Sequence, residues 1–333
     1  MADSGRASQN HTFFPKASSN GKGKLKVFLI GDKAFKVFTA VVASSTFLII
    51  GLMVYYLYLG SWPSIEKFGM GFAVGIEWNP VKGVFGALPL ILGTLVTSAI
   101  ALLIALPVSL GVALALSEYM PKKLSDIFSF FVELLAAVPS VVYGLWGIYV
   151  LIPFLREAIY PSIKSSLGFL PFFSGPIYGG GVLTAGLLLA IMITPIMSAI
   201  MRDLFILTPS ALKEAAIALG ATKWEAIRTM MSYARSGIIA ATILGLGRAM
   251  GEAMAVTMVI GNRFQLLPSS LFDAWYTMAA ILANEFIEAI DHLHISALIN
   301  VGLLLLVINL VVLICARLVI WRHLKAVGGI MRE

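Results

Sequence analysis

Residues 88–116 read LPLILGTLVTSAIALLIALPVSLGVALAL and contain no charged side chain. A segment of about 20 apolar residues is long enough to cross the hydrocarbon core of a bilayer as an α-helix. Lipid offers no hydrogen-bond partners to the backbone, so only helices and closed barrels can span it. The segment lacks the alternation of polar and apolar residues that marks a barrel strand. It therefore predicts a membrane-spanning helix.

The composition of the whole chain supports the same fold class. Its 333 residues are 59% hydrophobic and only 12% charged, with a mean hydropathy of +0.93. These values lie outside the range of soluble domains. We predict an all-α membrane protein with six transmembrane helices, near residues 34–60, 88–116, 127–152, 179–200, 236–260 and 296–320.

The distribution of basic residues predicts the orientation of these helices. Cytoplasmic loops of membrane proteins are enriched in Lys and Arg. Placing both termini in the cytoplasm puts most of the 24 Lys and Arg residues in cytoplasmic segments. The predicted outer connections hold only Lys67, Lys82, Arg156, Lys164 and Arg263. Because the basic residues are scattered between apolar runs, they do not indicate a protein that binds nucleic acid.

These assignments divide the chain into segments. We predict a basic, flexible cytoplasmic tail (1–33), the first helix (34–60), an extracytoplasmic loop (61–86), the other five helices (87–321) with a cytoplasmic loop at 202–235, and a cytoplasmic tail (322–333). Residues 271–290 are apolar at helical spacing but contain three acidic residues, which predicts a helix at the membrane interface.

Two charged residues, Arg248 and Glu252, interrupt the fifth apolar run. Each would cost about 2.5 to 3.5 kcal/mol at the centre of a lone helix, so neither is expected to face lipid. Their spacing of four residues puts both on one helix face, where they can form an ion pair or together line a cavity. An ion pair could serve only to fix the packing. A guanidinium that lines a cavity can fork two N–H bonds to a tetrahedral oxyanion.

Residues 213–224, with the sequence KEAAIALGATKW, are too polar to span a membrane. Pro209 precedes them and Gly220 is a natural helix stop, so they predict a short helix against the inner face of the membrane. Taken alone, such a helix could be a plain connector. Glu133, near the inner end of the third helix, is either a side chain that reaches water or a polar functional site.

The same cytoplasmic segment resembles the coupling loop of ABC-importer permeases. The resemblance rests on Glu214, Ala215 and Ala216, followed after three residues by Gly220, in the loop before the penultimate helix. In that family the loop docks into a cleft of the ATPase subunit, which implies the same role here. The family pattern continues with Ile-x-Leu-Pro, whereas this chain has Met-Met-Ser-Tyr at 230–233. The geometry that the proline would give this turn is therefore not implied.

The string LGLGRAMGEAMAVTMVIGN, residues 244–262, resembles the permease subunits of phosphate-specific ABC importers. The resemblance extends over nearly the whole chain and includes Gly31-Asp32-Lys33, Trp78-Asn79-Pro80, residues 93–98 (GTLVTS), and Glu133 with residues 137–140 (AVPS). It implies the permease fold of type I ABC importers and a role for Arg248 and Glu252 in phosphate passage. Ala253 replaces a threonine common in that family, so no hydroxyl role is implied there.

The resemblance also implies partners and a location. No GxxxxGK[ST] loop occurs in the chain, so ATP hydrolysis is expected on a separate ATPase subunit, and this chain is expected to be no enzyme and to bind no cofactor. The implied partners are a second, homologous permease, two ATPase copies and an extracytoplasmic phosphate-binding protein. The implied location is the cytoplasmic (inner) membrane of a bacterium or archaeon. His292 and His294 lack the spacing of a metal site, so no metal is predicted.

Three other functions stay open. A permease for sulfate or molybdate would share the coupling loop. A secondary transporter would use Arg248 and Glu252 as a proton-coupled pair. A membrane scaffold would need that pair for assembly only.

Overall fold

The computed structural model describes the backbone of residues 21–330 and the side chains of residues 35–318. It consists of two compact units, one ending at Tyr56 and the other beginning at Leu57. The first unit contains the N-terminal part of helix α1 (Gly21–Phe68). The second unit contains the end of α1 and all the other helices and strands of the described residues.

The second unit is built mainly of helices. Helix α2 (Gly71–Val74) leads into an antiparallel hairpin of β1 (Trp78–Asn79) and β2 (Val84–Phe85). The helices that follow are α3 (Leu88–Leu114), α4 (Lys122–Ala136), α5 (Ser140–Trp146), α6 (Ile152–Phe154), α7 (Tyr160–Leu167), α8 (Val182–Ile206), α9 (Ser210–Ala218), α10 (Lys223–Gly251), α11 (Met254–Val259), α12 (Met278–Glu285) and α13 (His292–Ile330). Three π-helical segments, Ala115–Tyr119, Gly147–Leu151 and Leu155–Ile159, extend or join these helices.

Five helical segments are long and apolar enough to cross a membrane: Phe35–Phe68, Leu88–Tyr119, Ser140–Leu167, Val182–Ile206 and His292–Leu318. The predicted all-α membrane fold is therefore confirmed. The predicted fifth helix is not among these segments, and it is broken between Gly251 and Met254. Glu252 leaves the helical conformation with a ψ of 117°. A continuous helix over 236–260 was the wrong prediction, while the count of six crossings and the orientation stay predictions.

The third predicted helix is also interrupted. Helix α4 ends at Ala136 and α5 begins at Ser140, with Pro139 extended between them. Proline lacks the N–H of a helix interior and disfavours a helical conformation in the preceding residue. The predicted run 127–152 is therefore two helices, and the apolar crossing segment lies further along the chain.

Both ends of the described chain are helical beyond the predicted boundaries. Helix α1 begins at Gly21, so the backbone of residues 21–33, predicted as part of a flexible tail, is helical. No proline interrupts the sequence from there to Pro63, so nothing local stops the helix. Helix α13 continues to Ile330, into the predicted tail. Residues 1–20 and 331–333 lie outside the described residues.

The other end of α1 runs through Pro63 to Phe68, past the predicted end at residue 60. Contacts with α13 hold this extension. The Ser64 N–H donates to the Ser296 hydroxyl at 3.0 Å, and the Asn300 amide donates to the Ser64 hydroxyl at 3.2 Å. These buried bonds offset the backbone hydrogen bond that proline removes from the helix.

The main core lies between α3 and α8. Ala101, Ala105, Leu188 and Ile193 are fully buried there. Small residues bring the two backbones close enough for this packing.

The start of α12 packs against residues 93–98 of α3. The Thr94 hydroxyl accepts the Met278 N–H at 2.9 Å, and a Cβ added at Gly93 would overlap the Tyr276 carbonyl. Trp275, Tyr276 and Met278 are buried. The helix expected within 271–290 is thus short, and its start packs inside the protein.

Replacement of Gly93 by alanine tests this packing contact between α3 and the segment before α12. We expect Gly93→Ala to lower the free energy of unfolding by roughly 1 to 3 kcal/mol, because a backbone carbonyl must move to admit the methyl group. Thermal unfolding of the detergent-solubilised protein measures the change. The matched control is Gly111→Ala in the same helix, where an added Cβ meets nothing within 4 Å. Equal unfolding temperatures for the two variants would contradict the packing described.

Candidate functional site

Arg248 and Glu252 line one large cavity. Its volume is about 1080 Å³, and Arg317 of α13 lies on the same wall. Most of the remaining wall is apolar and includes Ile196, Ile239, Ile243, Leu244 and Leu313. Charges beside apolar groups are screened less than charges in bulk water. A cavity with two guanidinium groups and one carboxylate therefore favours an anionic occupant.

Arg248 and Glu252 share this cavity without a direct ion pair. Among the residues with described side chains, neither has an opposite charge within 4.0 Å. Arg248 is exposed in this chain and Glu252 is partly buried. Of the two arrangements that the spacing of four residues allows, the structure shows two side chains that line one cavity. It does not show the ion pair.

Glu252 is held at the break between α10 and α11. Its carboxylate accepts the N–H of Ala255 at 3.3 Å, in the first turn of α11. Free N–H groups at a helix start favour a negative charge. The Glu252 carboxylate therefore accepts an N–H of the first turn of α11, while the Glu252 backbone ends α10. The hydrophobic periodicity of the sequence does not show this contact.

Arg317 lies near the end of the predicted sixth helix, and its place in the cavity was not predicted. Helix α13 packs against α10 where Leu313 approaches Gly247, whose added Cβ would lie 3.7 Å from the Leu313 side chain. Arg317 follows Leu313 by one helical turn on the same face. The only sequence signal was this spacing of four residues from an apolar neighbour, which is too common to assign a site.

Helix α10 connects the cavity to the cytoplasmic segment. It begins at a capping box in which Glu225 donates its N–H to the Thr222 hydroxyl and accepts the Thr222 N–H at 2.7 Å. The hydrogen bonds from the backbone and side chain of Thr222 lower the pKa of Glu225. From Lys223 to Arg248 the helix rises about 37 Å. One uninterrupted helix therefore joins the two segments that the sequence marks as functional.

The predicted cytoplasmic helix is α9. It contains Glu214, Ala215 and Ala216, and Glu214 is exposed. Gly220 ends it with a φ of +88°, and the Ala221 N–H returns to the Ala216 carbonyl at 3.1 Å. This is the Schellman ending, in which glycine adopts the left-handed conformation with least strain.

Two contacts hold α9 and the start of α10 against the π-helical segment Ala115–Tyr119 that extends α3. Lys213 forms an ion pair with Glu118 at 2.7 Å, and both side chains are largely shielded, with 27% and 11% exposed. The Lys223 ammonium lies 4.4 Å from the centre of the Tyr119 ring. Beyond these contacts, the apolar side chains of Ile217, Leu219 and Trp224 are exposed.

Comparison with known proteins places this arrangement in a family. Residues 105–322 match the family model of the binding-protein-dependent transport system inner membrane component. Three relatives are named phosphate transport system permease protein PstC. The protein of Haemophilus influenzae is 46% identical, over 89% of this chain and 95% of its own. That of Mesorhizobium japonicum is 42% identical, over 92% and 95%, and that of Pasteurella multocida 44% identical, over 88% and 93%.

The chain belongs to the PstC permease family. It is a multi-pass protein of the inner membrane. The matched region of the permease begins within α3 and extends into α13, so it includes α9, the cavity and all three charged residues of its wall.

Glu133 of the permease has a partner in the structure. It accepts a hydrogen bond from Arg202 at 2.9 Å, and Arg202 also bonds Asp203 at 2.7 Å. The Arg202 side chain is only 11% exposed. Glu133 therefore links α4 to the end of α8, and it is not among the residues that line the cavity.

A polar cluster at the outer hairpin was not predicted. Glu285 accepts the Trp78 indole N–H at 2.9 Å and contacts the His294 ring nitrogen at 3.0 Å. The His294 ring stacks on Phe85. The cluster ties the hairpin to α12 and α13, which gives Trp78 of the family motif a structural role.

Reversal of the Lys213 charge tests the anchoring of α9. Lys213→Glu places two carboxylates together in a shielded site, so we expect local opening of residues 207–222 to rise about tenfold, the equivalent of 1.4 kcal/mol. Cleavage after Leu219 or Trp224 by a chymotrypsin-like protease reports the opening. Adding Glu118→Lys restores the pair with opposite polarity and should restore protection. Equal cleavage of all three proteins would show that the ion pair does not anchor α9.

Proposed function

We infer that this permease is the membrane-spanning subunit of an ATP-driven importer of inorganic phosphate. The observation that carries the proposal is the Arg248 guanidinium on the wall of a largely apolar cavity. The names of the relatives support phosphate as the substrate. A guanidinium forks two N–H bonds to a tetrahedral oxyanion, which suits phosphate.

The charges of the cavity favour transient binding of the anion over tight binding. Arg248 offers charge-assisted hydrogen bonds to an anion whose water shell is partly lost in an apolar cavity. Glu252 lies on the same wall and repels the anion. Its carboxylate can also approach the guanidinium once the anion leaves, which lowers the cost of an empty site. Binding is therefore transient, as a transporter requires.

The energy source is a separate protein in this proposal. The chain contains no GxxxxGK[ST] loop, so ATP is bound and hydrolysed by partner ATPase subunits, two per complex. The exposed surface of α9, around Glu214 and the apolar side chains of Ile217 and Leu219, supports docking of an ATPase there. A second, homologous permease completes the cavity at the side where Arg248 is exposed. An extracytoplasmic binding protein delivers phosphate to the outer segments.

Movement reaches the cavity through α10. ATPase closure moves α9, and Gly220 connects α9 to the start of α10 three residues later. Because α10 is one continuous helix up to Gly251, a shift at its start displaces Arg248 as well. The break at Glu252 lets α10 move relative to α11.

Neutralising Arg248 tests the role of the guanidinium. In proteoliposomes that contain the assembled importer, we expect Arg248→Gln to reduce ATP-driven phosphate uptake about tenfold to a hundredfold, the equivalent of losing 1.5 to 3 kcal/mol of charged hydrogen bonding. The matched control is Arg156→Gln, an exposed arginine of another crossing segment that does not line the cavity. Uptake at the wild-type rate by Arg248→Gln would refute the proposed path.

The same vesicles separate the rival functions. Excess sulfate or molybdate should leave phosphate uptake unchanged, and strong competition would favour a permease for another oxyanion. Uptake should stop when the partner ATPase is inactivated and should survive a proton uncoupler. The reverse pattern would indicate a secondary transporter. A scaffold predicts that Arg248→Gln changes assembly of the complex and not its flux.

A charge reversal at Glu214 tests docking of the ATPase. Glu214→Lys leaves the membrane helices unchanged, so we expect normal insertion, weaker copurification of the ATPase and loss of ATP-coupled uptake. Lys123→Glu reverses a charge on α4, outside α9, and should retain both. Normal ATP-coupled uptake by Glu214→Lys would contradict the assignment of α9 as the coupling helix.

A further inference from the structure

Arg317 is the third charged residue that lines the cavity. It is exposed, and among the residues with described side chains it forms no ion pair. It is the second-to-last residue of the apolar segment His292–Leu318, and α13 continues beyond it to Ile330. Its side chain lines the same cavity as Arg248.

The direction of α13 places Arg317 toward the coupling end of this cavity. Helix α13 begins beside the outer hairpin, where His294 contacts Glu285 and stacks on Phe85. Helix α10 begins at the opposite end of α3, where Lys223 lies over Tyr119. The two helices therefore run antiparallel along the cavity.

The offset between the two arginines follows from this geometry. Leu313 of α13 packs against Gly247, the neighbour of Arg248. Arg317 lies one turn further along α13, which is about 6 Å closer to the coupling end. A phosphate ion released by one guanidinium has only a short distance to travel to the other.

Electrostatics favours this use of Arg317. Two arginines and one glutamate give the wall a net positive charge, and the two guanidinium groups repel each other when no anion is present. An anion relieves that repulsion at either position. An anion that binds two sites of similar strength can move between them without leaving the cavity.

We propose that Arg317 is a second phosphate-binding group of the permeation path, which receives the anion from Arg248 on the coupling side before release. This inference rests on the proposed function, because it names a further residue for the same transport reaction. Its ligand is a tetrahedral oxyanion, bound by the forked N–H groups of the guanidinium.

Three variants test the proposal in proteoliposomes of the assembled importer. Arg317→Gln should reduce the maximal rate of ATP-driven phosphate uptake about tenfold, as expected for loss of a charged hydrogen bond. Arg317→Lys keeps the positive charge but loses the paired N–H donors of the guanidinium. Its uptake rate should therefore lie between those of wild type and Arg317→Gln. Arg317→Gln combined with Leu318→Arg keeps the net charge and moves the guanidinium to a position outside the cavity wall. Its uptake should remain low.

A role in membrane topology alone predicts a different pattern. Lys and Arg are equivalent in the positive-inside effect, so both Arg317→Lys and the combined variant would then transport at the wild-type rate. That result overturns the proposal, and it does so even if Arg317→Gln fails to insert. If Arg248→Gln loses uptake while all Arg317 variants keep it, the second site is wrong and the proposed function stands. If the wild-type complex imports no phosphate, both fail.

Discussion

The interaction on which the account depends is the one between the Arg248 guanidinium and an anion in a largely apolar cavity. A positive charge at this depth is unfavourable unless something compensates it. In the described residues no carboxylate lies within ion-pair distance, and Glu252 is engaged at the start of α11. The structure therefore keeps a strong hydrogen-bond donor available on the cavity wall. The break after Gly251 is part of this arrangement, because it turns Glu252 toward the next helix.

This donor lies on the same helix as the capping box that follows the predicted cytoplasmic helix α9. Arg248 lies in the last turn of α10, and the first turn of the same helix is fixed by the capping box of Thr222 and Glu225. Helix α9 and the end of α3 are joined by the ion pair of Lys213 and Glu118. Helix α9 is thus in direct contact with the extension of α3 and is followed immediately by α10. Arg248 lies about 37 Å along α10 from its first residue, Lys223.

The sequence predicted the parts of this site that depend on composition and local pattern. Length and hydropathy predicted four of the five apolar crossing segments, the cost of a charge in lipid singled out two residues that line the cavity, Arg248 and Glu252, and Gly220 predicted the end of α9. The breaks at Pro139 and Glu252 were not predicted as helix ends. Proline can kink a crossing helix or break it, and surrounding contacts decide which. The extension of α1 beyond Pro63 depends on Ser296 and Asn300, which are distant in sequence. The place of Arg317 in the cavity likewise depends on the contact between Leu313 and Gly247.

The ratio of phosphate imported to ATP hydrolysed tests the central claim most directly. In the reconstituted complex with Arg248→Gln, α9, α10 and their contacts remain, so ATP hydrolysis should continue near the wild-type rate. Phosphate import should fall, and the ratio should therefore fall at least about tenfold. An unchanged ratio, with import and hydrolysis both at wild-type rates, would mean that phosphate passes without the guanidinium and would contradict the account.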